Sequence, residues 1–254
     1  MSRLATGLHA RRWLLAGSAL LAGWLLYLPH SEAWFARWFP ELERPLYQQE
    51  GFGTLVLAHL GIVTVSSGIA VLLGVSAGLL AGSRFGRAFR PLLETILAIS
   101  QALPPVAVLA VAAPLVGFGS TPALIALILY GLLPVTQGTL TGMDSVDRDT
   151  QAVAQGLGMT RLQILRHVTL PLAAPVMLAG VRTAVVINIG TAAIASTVGA
   201  KTLGLPIIVG LSGFNTAYVI QGAVLVALLA IVADQLFEWL EERVTPHLPA
   251  RAGS

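Results

Sequence analysis

From residue 95 to residue 143 the chain runs for 49 residues without one Asp, Glu, Lys or Arg. Uncharged apolar runs of that kind read as membrane-spanning helices, since about 30 Å of hydrocarbon needs roughly 20 apolar residues. The same pattern recurs at 13–31, 51–83, 183–200 and 202–233. Composition points the same way. Charged residues make up 11% of the chain, against roughly 25% in an average soluble domain, and mean hydropathy is +0.80. An apolar content of 56% also excludes a disordered chain. With no cysteines, disulfides and thiolate metal sites are out. The fold class is therefore an all-α integral membrane protein.

The longest stretch is cut by Gly117-Phe118-Gly119-Ser120-Thr121-Pro122, a tight turn signal, so it holds two helices. Six spanning helices are predicted, at about 13–28, 54–82, 92–116, 122–141, 173–198 and 216–240. Pro104-Pro105 and Pro114 should kink or break the third, and Pro134 the fourth. The first helix has a rival reading. Arg11-Arg12, an apolar run and Ser31-Glu32-Ala33 have the form of a cleavable signal, although the apolar core is long for one. In the segment 29–53, Trp34-Phe35 and Trp38-Phe39 predict an interfacial helix lying on the membrane.

Orientation comes from the basic residues. With the N-terminus inside, Arg3, Arg11, Arg12, Arg84, Arg87, Arg90, Arg148, Arg161, Arg166, Arg243 and Arg251 fall on the inner side. Only Arg37, Arg44 and Lys201 fall outside, and Arg182 lies within the fifth helix. Eleven against three places both termini in the cytoplasm. The net charge of +3 thus reports topology, and nucleic acid is not an expected partner.

No catalytic constellation is identified, and no metal site. Neither His-Glu-x-x-His nor a Gly-x-x-x-x-Gly-Lys-Ser/Thr phosphate loop occurs. His59, in the second helix, has no carboxylate or second histidine in helical register and reads as a packed or cavity-facing histidine rather than a ligand. Helix packing is better specified. Ser66, Ala70, Gly74, Gly78 and Gly82 share one face of the second helix, where small residues admit a close neighbour. On the fifth, Gly180, Ala184, Asn188, Ala192 and Ser196 share a face. Asn188, Thr191 and Ser196 add polarity there, either bonding a neighbouring helix or lining a polar translocation path. A lone Arg at mid-span costs about 2.5–3.5 kcal/mol, so Arg182 is expected at the inner interface, paired there with Glu94 or Asp234 and tying the fifth helix to the bundle, with an unpaired interfacial anchor as the alternative.

Between the fourth and fifth helices, residues 142–172 have mixed charge and helical character. Asp147 or Asp149 can cap a helix over 149–157, Gly158 breaks it, and Thr160 can cap a second over 161–168, which Pro171 ends. Two short helices projecting inward predict a docking element for a cytoplasmic partner, with a passive loop as the alternative.

Here Ala152-Val153-Ala154, three residues, Gly158, nine residues and Val168-Thr169-Leu170-Pro171 resemble the Glu-Ala-Ala loop of permease subunits of bacterial ABC importers. The resemblance covers roughly residues 54–240. Ala152 stands where Glu is usual, Val153 where Ala is, and Val168 where Ile is. Ser100-Gln101-Ala102-Leu103-Pro104-Pro105-Val106-Ala107-Val108-Leu109, the run 180–192 and Val198-Gly199-Ala200-Lys201-Thr202-Leu203-Gly204-Leu205-Pro206 look like the osmoprotectant branch.

The resemblance implies a type I ABC importer permease fold in the bacterial inner membrane. It divides the chain into an N-terminal helix and external loop (1–53), a permease domain (54–240) and a cytoplasmic tail (241–254). It implies Ala152, Val153, Ala154, Gly158, Val168, Leu170 and Pro171 as the ATPase-coupling loop. The implied partners are a cytoplasmic ATPase dimer, an extracytoplasmic substrate-binding protein and a second permease, itself or a related chain, all within membrane lipid. The chain would need no cofactor, ATP being bound by the partner, and would pass glycine betaine, choline or carnitine. The alternatives are a permease for an amino acid or oxyanion, or a stand-alone channel or secondary carrier.

Overall fold

The computed structural model describes residues 2–83 and 86–245. Arg84 and Arg251, counted above on the inner side, lie outside the described residues, as does 246–254 of the expected tail. Among the described residues all regular secondary structure is helical, with no strand. In chain order the α-helices are α1 Ser2–Tyr27, α2 Glu32–Trp38, α3 Phe52–Gly82, α4 Arg90–Ala102 and α5 Pro105–Val116, followed by α6 Ser120–Asp144 and α7 Arg148–Gly156. The series closes with α8 Arg161–Ile164, α9 Leu170–Ala192, α10 Gly204–Ser212 and α11 Thr216–Val244. Among the described residues, five stretches are long and apolar enough to span a membrane, and a sixth is a bent pair made of α4 and α5.

The bend is the break expected at Pro104-Pro105 in the span 92–116, and it divides that span into two helices. The chain turns by 90° between the two halves. The physical reason is the doubled proline. A residue before proline is driven out of the helical region, so Leu103 (ψ 131°) and Pro104 (ψ 138°) are both extended. Pro114 and Pro134 do not break their helices and lie inside continuous α5 and α6.

Pro171 brings a correction. It does not end the helix that begins at Arg161. The chain continues through a π turn, Leu165–Thr169, directly into α9, with the Leu170 amide bonded to the Leu165 carbonyl. In an α-helix a proline ring collides with the carbonyl four residues back. The wider π turn just ahead of Pro171 lets the helix carry on, so 161–192 forms one long stretch. The fifth helix in turn stops at Ala192, short of the expected 198, and gives way to a 3-10 segment, Ile194–Val198.

The centre of the bundle is α3, α6 and α9. Glycines set how closely these three meet. A Cβ on Gly78 would lie 2.7 Å from Thr139 of α6, and one on Gly138 only 2.8 Å from the Gly180 Cα of α9. The small-residue faces expected on the second and fifth helices are thus helix contacts. α1 lies at the edge against α11, where Gly17 meets Gln235. The short helix expected in the segment 29–53 is α2. It buries Phe35 completely and leaves Trp34 and Trp38 exposed. The bundle has two distinct ends, one carrying α7 and α8 and the other α2 and α10.

Candidate functional site

At the α7 end, the loop after α6 is built as its residues dictate. Asp147 caps α7, accepting from the Asp149 amide at 3.1 Å. Gly158 adopts φ +84°, a left-handed conformation that glycine takes without penalty, and its amide closes on Gln155 O at 3.0 Å. Thr160 and Gln163 form a reciprocal capping box on α8. Of the residues assigned to coupling, Ala154 is buried, whereas Ala152, Val153, Gly158 and Pro171 are exposed. Val168 and Leu170 are half-buried. Val153, Leu157 and Leu162 are exposed by 64–79%, an apolar set on a projecting loop. Beside them opens a cavity of about 770 Å³ lined by Arg87, Arg90, Arg148, Arg161, Ala152 and Asp144, among others. Asp144 is its one lining carboxylate among the described residues.

Two ion-pair groups hold this end together. Arg182 on α9 is bidentate to Asp234 on α11, with Nη2 donating to Oδ2 at 2.7 Å. Glu241, about two turns further along α11, lies 3.5 Å from Arg182 Nη1. Glu94, the other partner expected for Arg182, is engaged elsewhere. It accepts from Arg90 at 2.9 Å, and Arg90 also donates to Asp144 at 2.7 Å. The reason is proximity: Arg90 and Glu94 are four residues apart on one helix, so their side chains meet without help from tertiary structure.

Deeper in the bundle, Asn188 is fully buried and donates from Nδ2 to Ser67 Oγ of α3 at 3.0 Å. Of the two readings weighed for it, the structure presents the inter-helix bond. Thr191 is half-buried. Ser196 is 7% exposed and shapes a local turn, meeting Ala200 O and Thr202 Oγ1. The three residues expected along a polar path are therefore not gathered on one open surface. The pentapeptide Gly74-Val75-Ser76-Ala77-Gly78 has Gly-x-Ser-x-Gly spacing, but it is no catalytic elbow. It lies within α3, and Ser76 Oγ donates to Leu72 O. The strained strand-to-helix turn that exposes a nucleophile is missing here.

At the α10 end, two fully buried polar side chains tie elements together in a way the sequence did not announce. His59 Nε2 meets Ile189 O at 3.0 Å, and its Nδ1 accepts from the Leu203 amide at 3.3 Å. That pattern requires the neutral tautomer with hydrogen on Nε2. Ile189 O is free for it because the Ala193 amide, its ordinary helical donor, turns to Gly190 O. Gln221 of α11 likewise accepts from the Tyr47 amide and donates to Pro45 O, fixing the segment before α3. Burial pushes the Tyr47 phenol above its usual range, and the charge of Glu50 adds to the effect. Lys201 pairs with Glu50 at 2.6 Å. One more inter-helix bond lies in the broken span, where Gln101 of α4 donates to Tyr130 O of α6 at 2.8 Å.

Known proteins resemble this chain in both sequence and fold. The family described as binding-protein-dependent transport system inner membrane component matches residues 48–246. The osmoprotectant import permease protein OsmY of Salmonella typhimurium is 40% identical over 189 residues, covering 74% of this chain and 80% of that protein. The choline transport system permease protein OpuBB of Bacillus subtilis is 38% identical over 203 residues, covering 79% and 93%. Among solved structures, an inward-facing conformation of the MetNI methionine ABC transporter superposes with a TM-score of 0.68 at 20% identity. It covers 78% of this chain and 100% of that one, and at that identity the likeness speaks for the fold alone.

Proposed function

Because this chain belongs to the binding-protein-dependent transport system inner membrane components, we propose that it forms one subunit of the membrane path of an osmoprotectant importer. The solute is a small quaternary ammonium compound such as glycine betaine, choline or carnitine. The observation that carries this reading is the 38–40% identity, over most of the chain, to permeases named for osmoprotectant and choline import.

The geometry supports a division of labour. The α7 end faces the cytoplasm with both termini, as the excess of arginine there requires. The loop 145–171 docks on a cytoplasmic ATPase, offering Val153, Leu157 and Leu162 as apolar anchors and the arginine-lined cavity to acidic groups. ATP is bound and hydrolysed by that partner. The α10 end receives solute from an external binding protein. A second permease, this chain again or a related one, completes the path. Closure of the ATPase dimer pulls on α7 and α8, and the pull passes into α6 and α9. The helices then shift between inward- and outward-open arrangements, which is alternating access.

Uptake of labelled glycine betaine, choline and carnitine into vesicles holding the permease, its ATPase and its binding protein tests the reading. Uptake of at least one, dependent on ATP and on the binding protein, is expected. Transport of none of the three would overturn the solute assignment, and ATP-independent transport would overturn the importer.

A further inference from the structure

Pro134 costs α6 one of its hydrogen bonds. With no N–H to give, it leaves the carbonyl of Tyr130, four residues earlier, without its helical donor. The side-chain amide of Gln101 supplies that donor from α4 at 2.8 Å. At the other end of α4, Arg90 donates to Asp144 at 2.7 Å, and Asp144 is the last residue of α6. The two ties are eleven residues apart on α4, about 16 Å along the axis. They grip α6 on opposite sides of Pro134. α4 thus lies along α6 as a splint across its proline turn.

The position of α6 in the chain gives the splint a task. The loop that contains α7 begins directly after Asp144 and ends in the π turn that leads into α9, so displacement of that loop enters the bundle through the last turns of α6 as well as through α9. A helix lacking a hydrogen bond at Pro134 bends there more easily. The splint ends at Gln101, two residues before the elbow at Leu103, where the bent span turns by 90°. Beyond the elbow, α5 packs through Leu109 and Ala113 on Val198, and the Gly119 amide bonds to Val198 O at 2.7 Å. α5 therefore belongs to the opposite end of the molecule.

We propose that Gln101 is a positioning residue that stiffens α6 across Pro134, so that motion of the α7 loop reaches the elbow at Leu103-Pro104 undiminished. This rests on the importer reading for its readout of transport, and on the fold alone for its mechanics.

The test is a suppressor. Gln101→Leu removes the donor at nearly constant volume. In the vesicle-reconstituted importer it should lower solute uptake per ATP hydrolysed by about tenfold, the scale of one buried group left unpaired. Pro134→Ala returns an N–H to α6 and satisfies Tyr130 O internally, so the double variant should regain most of the lost coupling. The chain has no cysteine, so spin labels at Ile125→Cys and Thr141→Cys, on either side of Pro134, report the bending of α6 directly. Their distance distribution should be narrow in the parent, broad in Gln101→Leu and narrow again in the double variant. Should Gln101→Leu fail to accumulate, restored accumulation of the double variant supports the splint, and continued failure overturns it. A neutral Gln101→Leu, or a defect that Pro134→Ala leaves untouched, also overturns it. The label distances need no solute, so a wrong solute assignment would leave them intact.

Discussion

His59 illustrates how much one buried side chain can fix. Both ring nitrogens are used, one on the carbonyl of Ile189 and one on the amide of Leu203, so three separate elements meet on one imidazole. His59→Phe would strand two buried backbone groups. A loss of about 2 kcal/mol or more is expected, read as a lower midpoint of thermal unfolding in detergent, with His59→Gln recovering part of it. An unchanged midpoint in His59→Phe would mean the two bonds contribute nothing. The sequence marks His59 as packed and no more, because hydrogen-bond partners 130 and 144 residues away leave no local signal. Arg182 was more legible. A charge in an apolar helix demands a partner, and two carboxylates were in range along the chain. The choice between them is hidden only until the local Arg90–Glu94 pair is noticed, which takes Glu94 out of contention. In a double-mutant cycle, Arg182→Ala with Asp234→Asn should lose folded yield less than additively, and Arg182→Ala with Glu94→Gln should be additive. Coupling of comparable size in both cycles would contradict the pairing seen here.

At the scale of elements, prolines decide the architecture, and they do so differently from place to place. The positions are plain in the sequence, and so is the break at Pro104-Pro105; the other outcomes are not. Two adjacent prolines force two extended residues and make an elbow. Single prolines at 114 and 134 stay within a helix, because neighbours can satisfy or tolerate one freed carbonyl. Pro171 sits beyond a π turn that absorbs its ring, a device with no signature in residue type. The α7–Gly158–α8 loop is legible nearly as it stands, since caps and glycine are local chemistry. Gly158 at φ +84° admits a side chain only with strain. Gly158→Asp should leave the protein in the membrane while uptake becomes uncoupled from ATP hydrolysis. Undiminished, coupled uptake in that variant would count strongly against a docking role for the loop.

For the whole molecule, the span pattern and the gathering of arginines at the α7 end are open to reading from the sequence, because hydropathy and charge act without knowledge of tertiary contacts. Reporter fusions after Ser83 and Met143 should report the cytoplasm, and fusions at Glu43 and Lys201 the exterior; the opposite pattern would invert the topology. What the sequence could not rank was which small-residue faces meet. In the structure Gly138 and Gly180 approach backbone to backbone, with no room for a side chain between them. Gly138→Leu should therefore abolish folded yield, whereas Gly23→Leu on α1, with open space around its Cβ position, should not; equal yields would show the close approach to be dispensable. A contact made of two bare backbones has nothing to repack. It cannot be drawn any tighter. The trio of α3, α6 and α9 is in that sense incompressible, a keel more than a sleeve. The open apolar surface lies outside it, along the flank where the broken span leaves Leu103, Val111 and Leu115 exposed.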